Sequence, residues 1–264
     1  MSYLIALRAV VGREFLRFVH QRERFIAALV RPLVWLIVFA AGFRAALGLS
    51  ITPPYQTYIV YEDYIVPGLC AMILLFNGMQ SSLSLVYDRE MGSMRLLLTS
   101  PLPRWWLLVA RLLGSTAISI LQVYTFLGVA WLYGIDMPPW GYVAVLPALV
   151  LGGVMLGALG LVLSSLIKQL ENFAGVMNFV IFPMFFLSTA LYPLWRMAES
   201  STVLRDICAV NPFTHVVELV RFALYLEFNA QAAAMGALWT LGLLALAVWG
   251  YDPGRGMRGK RAGG

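Results

Sequence analysis

Charged residues are scarce in this chain, and their scarcity limits the folds that it can adopt. Only 12% of the 264 residues are charged, whereas 61% are hydrophobic. A soluble domain carries about 25% charged residues, so the composition excludes a sizeable water-soluble domain. No carboxylate lies at the centre of a long apolar stretch. The proton-relay pattern that is typical of many secondary transporters is therefore missing.

Cysteine and histidine are also rare, which removes several kinds of site. The two cysteines, Cys70 and Cys208, exclude a disulfide framework and are predicted to be small apolar residues in packed helices. The two histidines, His20 and His215, are far apart in sequence and are predicted on opposite sides of a membrane. They cannot build a metal-ligand cluster. No Ser, His and Asp set converges on one face, so we predict neither catalytic residues nor a metal site.

In place of polar surface, the chain has six long stretches without a charged residue. Most exceed the roughly 20 apolar residues that a helix needs to cross about 30 Å of hydrocarbon. The first, Pro32–Phe43, is short but extends to about Leu49, with Arg44 placed where its side chain can reach the headgroups. We predict an all-α membrane protein whose transmembrane domain covers residues 25–251. Its six spans are expected at approximately 28–49, 64–87, 108–134, 142–167, 172–194 and 229–250.

The charges between these stretches alternate in sign and predict the orientation. The predicted inner segments, 1–31, 88–111, 168–171 and 252–264, hold 15 Lys or Arg against 6 Asp or Glu. The outer segments hold four Arg against seven carboxylates. This positive-inside pattern places both termini in the cytoplasm, as an even number of spans requires. The basic pI of about 9.5 therefore reflects membrane orientation, and we expect no nucleic-acid partner.

Both ends of the chain are predicted to lie at the inner membrane surface. Residues 1–24 form an amphipathic interface helix, with an ordinary positively charged flank as the alternative. Its apolar side holds Leu4, Leu7, Val11, Phe15 and Phe18. Residues 252–264 form a basic tail, in which Gly254 to Lys260 resembles part of a phosphate-binding loop. Because Arg261 stands where Ser or Thr should hold magnesium, we expect no nucleotide to bind there.

Two connections are long enough to form elements of their own. The cytoplasmic connection runs from Asp88 to Arg111, and approximately residues 88–101 favour a short helix that Pro101 ends. A helix of that length must lie along the inner surface or dock onto a partner. The outer connection carries a re-entrant region at approximately 196–227, broken by Asn211-Pro212. We predict two short helices that dip into the outer leaflet, where surrounding protein covers their backbone.

The motifs in these connections resemble those of the type-2 ABC exporter permeases, the ABC-2 family. The cytoplasmic connection reads Glu90-x-Gly92-Ser93-x-x-x-Leu97-x-x-Ser100-Pro101. The outer connection contains Tyr192-Pro193, then Asn211-Pro212-Phe213-Thr214, then Glu218-x-x-Arg221. Each motif alone is loose, but their order at these spacings is more specific. The resemblance covers nearly the whole chain.

The resemblance implies a homodimeric or heterodimeric permease that binds two separate ABC ATPase subunits, and we expect the homodimer, with a second copy of this chain. ATP and magnesium would belong to those subunits, with no cofactor on this chain. The family exports or flips amphiphiles such as lipids, lipid-linked glycans and drugs, and we expect this chain in a prokaryotic plasma membrane, surrounded by lipid. In the family, the coupling segment rests on the ATPase. The matching positions here are Glu90, Gly92, Met94, Leu97, Ser100 and Pro101.

We predict that seven residues line a substrate path, although several of them have a simpler explanation. These residues are Tyr55, Tyr58, Tyr61, Asn211, Pro212, Glu218 and Arg221. The tyrosines, which recur every three residues, could stack on sugars or amphiphile rings, or form an outer aromatic belt. Glu218 and Arg221 could simply neutralise each other, and Asn211-Pro212 could simply break a helix.

The cytoplasmic motif also has simpler explanations, and two other functional classes remain open. Glu90 could be a charged boundary residue or a salt-bridge partner of Arg104 or Arg111, and Gly92 could be a helix irregularity. A stand-alone secondary transporter would need ionisable groups at the membrane midplane or paired broken helices in its two halves. An integral membrane enzyme acting on lipid would need a convincing cluster of His, Asp or Glu.

Overall fold

The computed structural model describes residues 8, 11–12, 16, 22–43, 53–57, 59–90, 103–167 and 169–250. Most of the predicted interface helix lies outside these residues. Also outside them are Tyr58, residues 91–101 of the coupling segment and the whole basic tail. Nine helices lie in the part described. They are α1 (Arg22–Phe43), α2 (Tyr61–Glu90), α3 (Arg104–Leu132), α4 (Gly141–Leu166), α5 (Leu170–Phe186), α6 (Leu194–Ser200), α7 (Thr202–Val210), α8 (Pro212–Leu224) and α9 (Ala230–Gly250).

The described helices confirm an all-helical membrane protein. Four segments are long and apolar enough to cross a membrane, namely Tyr61–Tyr87, Trp105–Leu132, Gly141–Leu166 and Ala230–Gly250. Helices α7 and α8 form a pair bent by 76°, which would add a fifth crossing if the pair were one broken span. Two shorter apolar helices, Ala28–Phe39 and Leu170–Phe186, complete the set. The chain is thus multi-pass, and the count of six spans stays a prediction.

Helix α5 ends well before its charge-free stretch does. The sequence predicted a span to about residue 194, whereas α5 ends at Phe186 and residues 187–193 form turns. The turn is held locally, because the Ser188 hydroxyl donates to the Phe185 carbonyl at 2.6 Å. Absence of charge permits a helix but does not mark its end. The turn matters because it directs the carbonyls of Thr189 and Leu191 towards α2.

Helix α2 lies at the centre of the fold and packs against α1, α3, α4, α5 and α8. Its closest neighbour is α4, where small residues let the two backbones approach. A Cβ atom placed on Gly78 would lie 2.9 Å from the backbone nitrogen of Gly157. A Cβ atom on Gly160 would lie 2.9 Å from the carbonyl oxygen of Gly78. The glycines of α4 thus form part of the surface that packs against α2.

Candidate functional site

The end of α2 and the beginning of α3, which are cytoplasmic in the predicted orientation, flank the predicted coupling segment. Glu90 is the last residue of α2, and the other coupling positions, Gly92, Met94, Leu97, Ser100 and Pro101, lie outside the described residues. Near these ends, Arg111 of α3 is 5% exposed and donates a hydrogen bond from Nη2 to the Ser84 hydroxyl of α2. The two helices are therefore already tied together where the connection joins them. A displacement of the connection would act on both helices at once.

The other end of α2 carries a buried cluster built around Arg221 of α8. This arginine is only 2% exposed, and its Nη1 atom donates to the carboxylate of Glu218. Its Nη2 atom donates to the Thr189 carbonyl at 2.7 Å. Its guanidinium carbon lies 4.1 Å from the centroid of the Tyr64 ring. One side chain thus joins α8, the turn after α5 and the first turn of α2.

The tyrosines before and within α2 complete this cluster. Tyr64 donates its hydroxyl hydrogen bond to the Thr189 carbonyl at 3.0 Å, and Tyr61 donates to the Leu191 carbonyl at 3.0 Å. Tyr55 packs edge-on against Tyr225, with ring centroids 4.6 Å apart. Burial raises the pKa of Tyr55 and Tyr225, so both hydroxyls stay neutral. Tyr55, Tyr61 and Tyr64 are all buried. The interpretation of the tyrosine repeat as an outer aromatic belt is therefore wrong for these three residues.

The Glu218 and Arg221 side chains pair with each other, as one interpretation of the sequence predicted. Their side chains are 20% and 2% exposed. A second pair, Arg205 with Asp206 at 2.6 Å, lies nearby in sequence but is 46% and 64% exposed. Only the buried pair is expected to matter for stability, because water screens the exposed one.

Asn211-Pro212 makes the bend between α7 and α8. The Asn211 side-chain oxygen accepts from the backbone N–H of Phe213 at 2.9 Å, which caps α8, and Pro212 occupies its first position. The Asn211 amide nitrogen donates to the carbonyls of Met184 at 2.8 Å and Leu187 at 2.6 Å. The helix-breaker interpretation is confirmed. The same amide also ties the bend to the end of α5.

An open groove of about 680 Å³ borders this bend. Its walls come from Pro183 of α5 and Leu187 just after that helix, Ile207 and Val210 of α7, and Trp239 of α9. Asp206, Asn211 and Pro212 also line it. A largely apolar groove of this size with few polar groups suits an apolar or amphiphilic molecule.

The predicted path residues thus fall into two separate places. Asn211 and Pro212 border the open groove, whereas Tyr55, Tyr61, Glu218 and Arg221 belong to the Arg221 cluster. Sequence reasoning missed the Thr189 carbonyl that joins this cluster, because a backbone acceptor has no side-chain signature. The sequence marked Tyr64 only as one more tyrosine at the three-residue spacing. It gave no sign that the Tyr64 ring would contact Arg221. Across the described residues, no group of His, Cys, Asp or Glu could hold a metal ion.

Comparison with known proteins finds a matching family and several similar membrane permeases. The family described as ABC-2 type transporter matches residues 5–225 of this chain. The putative transport permease ycf38 of Cyanophora paradoxa is 28% identical over 228 residues, which cover 83% of this chain and 74% of the relative. The ycf38 permease of Porphyra purpurea is 28% identical over 82% of this chain and 72% of its own length. The probable multidrug ABC transporter permease YbhR of Escherichia coli K12 is 29% identical over 71% of this chain and 50% of its own length.

Proposed function

Since this chain belongs to the ABC-2 type transporter family, we propose that it forms, with a second copy, the membrane path of an ATP-driven exporter. It is the membrane subunit of an ABC transporter and not the ATPase, and such a permease acts with an ATPase partner. The observation that carries this function is the family match, which runs from before α1 to the end of α8. Two ATPase subunits, bound at the predicted coupling segment, would supply the energy.

In the proposed topology, α1 and α5 are the first and fifth spans, and α7 with α8 is a re-entrant pair. Two contacts of α8 support this arrangement. Its last residues meet the outer end of α2 through Tyr225 and Tyr55, and its first residues meet the end of α5 through Asn211 and Leu187. The beginning of α2 and the end of α5 both face the outer side in the charge-based orientation. Helix α8 therefore starts and ends in the outer half of the membrane.

The exposed face of α5 supports a second permease copy. This helix packs mainly against α2 and leaves Gly175, Asn178, Phe179 and Phe182 exposed. The Asn178 amide has no hydrogen-bond partner among the described residues. An unpaired amide facing hydrocarbon is costly, whereas Asn between helices makes hydrogen bonds across a membrane interface. We place the second copy, and the path between the two copies, against this face.

The proposed cargo is an amphiphile, such as a lipid, a lipid-linked glycan or a drug-like molecule. The apolar groove beside Asn211 and Pro212 supports this class, and YbhR carries the name of a probable multidrug permease. The buried residues Tyr55, Tyr61, Glu218 and Arg221 would lie behind the outer wall of the path and hold its helices in place. We place the protein in a prokaryotic plasma membrane, the inner membrane in a Gram-negative cell, with both termini cytoplasmic. The excess of basic residues in the predicted inner segments supports that orientation.

Purification of the tagged chain in mild detergent from its native membrane tests this proposal. We expect a near-stoichiometric soluble subunit with an intact phosphate-binding loop to co-purify. Native mass spectrometry is expected to give the mass of two permease copies with two ATPase subunits. Recovery of the chain without any nucleotide-binding protein would instead favour a stand-alone transporter or an integral membrane enzyme acting on lipid.

Removal of the Glu90 carboxylate tests the coupling assignment. Because Glu90 ends α2 where the coupling segment begins, Glu90→Ala is expected to lower ATP-dependent transport about tenfold and to weaken ATPase association, with insertion unchanged. Glu199→Ala removes an exposed carboxylate from α6 and is the matched control. The readouts are transport in inside-out vesicles and the amount of ATPase recovered with the tagged chain. Equal effects of both substitutions would remove Glu90 from the coupling role.

A further inference from the structure

Arg31 places a positive charge inside an apolar segment. It belongs to α1, within the apolar stretch Ala28–Phe39, and its side chain is half-buried. It is the fourth residue of the first predicted span, 28–49, so it lies close to the inner membrane surface, where anionic headgroups are found. Its position therefore favours a partner of opposite charge.

That partner is not found among the described residues. The guanidinium carbon of Arg31 lies 3.7 Å from the centroid of the Phe76 ring on α2. No hydrogen bond or ion pair accompanies this contact within the part of the chain that the structure describes. Stacking on an aromatic face holds the guanidinium in place but leaves its N–H donors unused. Arg31 is thus positioned, positively charged and available.

The pocket around Arg31 is small and mixed in character. Its polar groups come from Arg31, Asn77 and Gln80, and the rest of its lining is apolar: Ala28, Pro32, Met72, Ile73 and Phe76. The volume of about 10 Å³ admits a single oxygen-sized group. Such a pocket receives one oxygen of a headgroup, while the rest of the molecule stays outside.

The amide beside Arg31 is held in a fixed direction. Asn77 donates from its amide nitrogen to the side-chain oxygen of Gln122 on α3. Gln122 is 4% exposed and Asn77 is partly exposed, so this link between α2 and α3 is partly buried. The Gln80 amide has no such link in the described structure and remains able to donate. The pocket therefore presents a guanidinium and a free amide side by side, with no carboxylate in its lining.

We propose that Arg31 and Gln80 bind the phosphate group of a membrane amphiphile, with its hydrocarbon tail along α1. A guanidinium matches phosphate oxygens in geometry and charge, and the exposed apolar side chains Val34, Ile37 and Val38 continue along α1 from this point. The ligand is either a resident phospholipid or a transported amphiphile that carries phosphate. The inference goes beyond the proposed function, because it assigns a charge and a contact to the bound molecule.

Native mass spectrometry of the full-length chain in a non-ionic detergent tests the site without any ATPase. The probes are phosphatidylglycerol and dodecyl phosphate, added separately and then in competition. Arg31→Gln is expected to lower the bound fraction of both probes about tenfold, since a charge-assisted interaction is lost. Arg31→Lys keeps the charge without the planar fork and should bind at an intermediate level. Arg205→Gln removes a cation from the exposed pair on α7 and should leave binding unchanged.

The competition separates the two sources of phosphate. Displacement of phosphatidylglycerol by dodecyl phosphate indicates an exchangeable cargo, and retention indicates a resident lipid; both outcomes support the site if they depend on Arg31. Gln80→Leu, expected to reduce binding about threefold, keeps the test decisive if Arg31→Gln does not fold. Unchanged binding in the folded Arg31 variants, or an equal loss in Arg205→Gln, would overturn the proposal.

Discussion

Replacement of Arg221 by methionine is expected to lower the free energy of unfolding by about 3–5 kcal/mol. The substitution leaves the Glu218 carboxylate without its buried cation and the Thr189 carbonyl without the Nη2 donor. It also removes the cation stacked on Tyr64. Because these contacts join α8 to α2 and to the turn after α5, the outer end of the molecule should loosen as a unit. Thermal unfolding of the purified protein in detergent measures the loss.

The exposed pair on α7 provides the matched control for this prediction. Arg205→Met breaks an ion pair whose side chains are 46% and 64% exposed, so the expected loss is at most about 0.5 kcal/mol. A double variant, Glu218→Leu with Arg221→Met, should recover part of the stability, because it leaves no buried charge behind. Equal unfolding temperatures for Arg221→Met and Arg205→Met would show that burial of the Arg221 pair has no energetic consequence.

Addition of a single methyl group at Gly141 is the second change with a large expected effect. Gly141 is the first residue of α4, and a Cβ atom there would lie 1.9 Å from the carbonyl oxygen of Leu224. The obstacle is backbone, so relief requires the end of α8 to move away from α4. Gly141→Ala is therefore expected to lower the free energy of unfolding by about 1–3 kcal/mol, as overpacking does. Thermal unfolding, together with the fraction of monodisperse protein on size exclusion, measures this effect.

Gly128 of α3 offers the same substitution without the obstacle. No heavy atom lies within 4 Å of a Cβ placed there. Gly128→Ala should be neutral or stabilising by up to about 1 kcal/mol, because alanine favours the helix. If the two variants unfold at the same temperature, the contact between Gly141 and the end of α8 does not limit packing.

Patterns that depend on local composition could be predicted well from the sequence. Asparagine is favoured as a helix N-cap and proline at the first helical position, so the bend at Asn211-Pro212 was predictable. The spacing of Glu218 and Arg221 brings their side chains together on one helix, so their pairing was predictable too. The end of α5 was not, because hydrophobicity sets where a helix can lie in a membrane and local turn contacts decide where it stops.

The sequence by itself determined the class of this protein and its family. Scarcity of charge points to a membrane protein, and residues 5–225 match the ABC-2 type transporter family. The alternation of charge predicts which side of the membrane each connection faces. Only the tertiary structure decided what surrounds Arg221 and Arg31. The Arg221 guanidinium is enclosed by a carboxylate and a carbonyl, whereas the Arg31 guanidinium rests on Phe76 and has no hydrogen-bond acceptor among the residues that the structure describes. Thr189 and Phe76 are distant in sequence from the arginines that they contact. The packing of the helices therefore decides the environment of each charge.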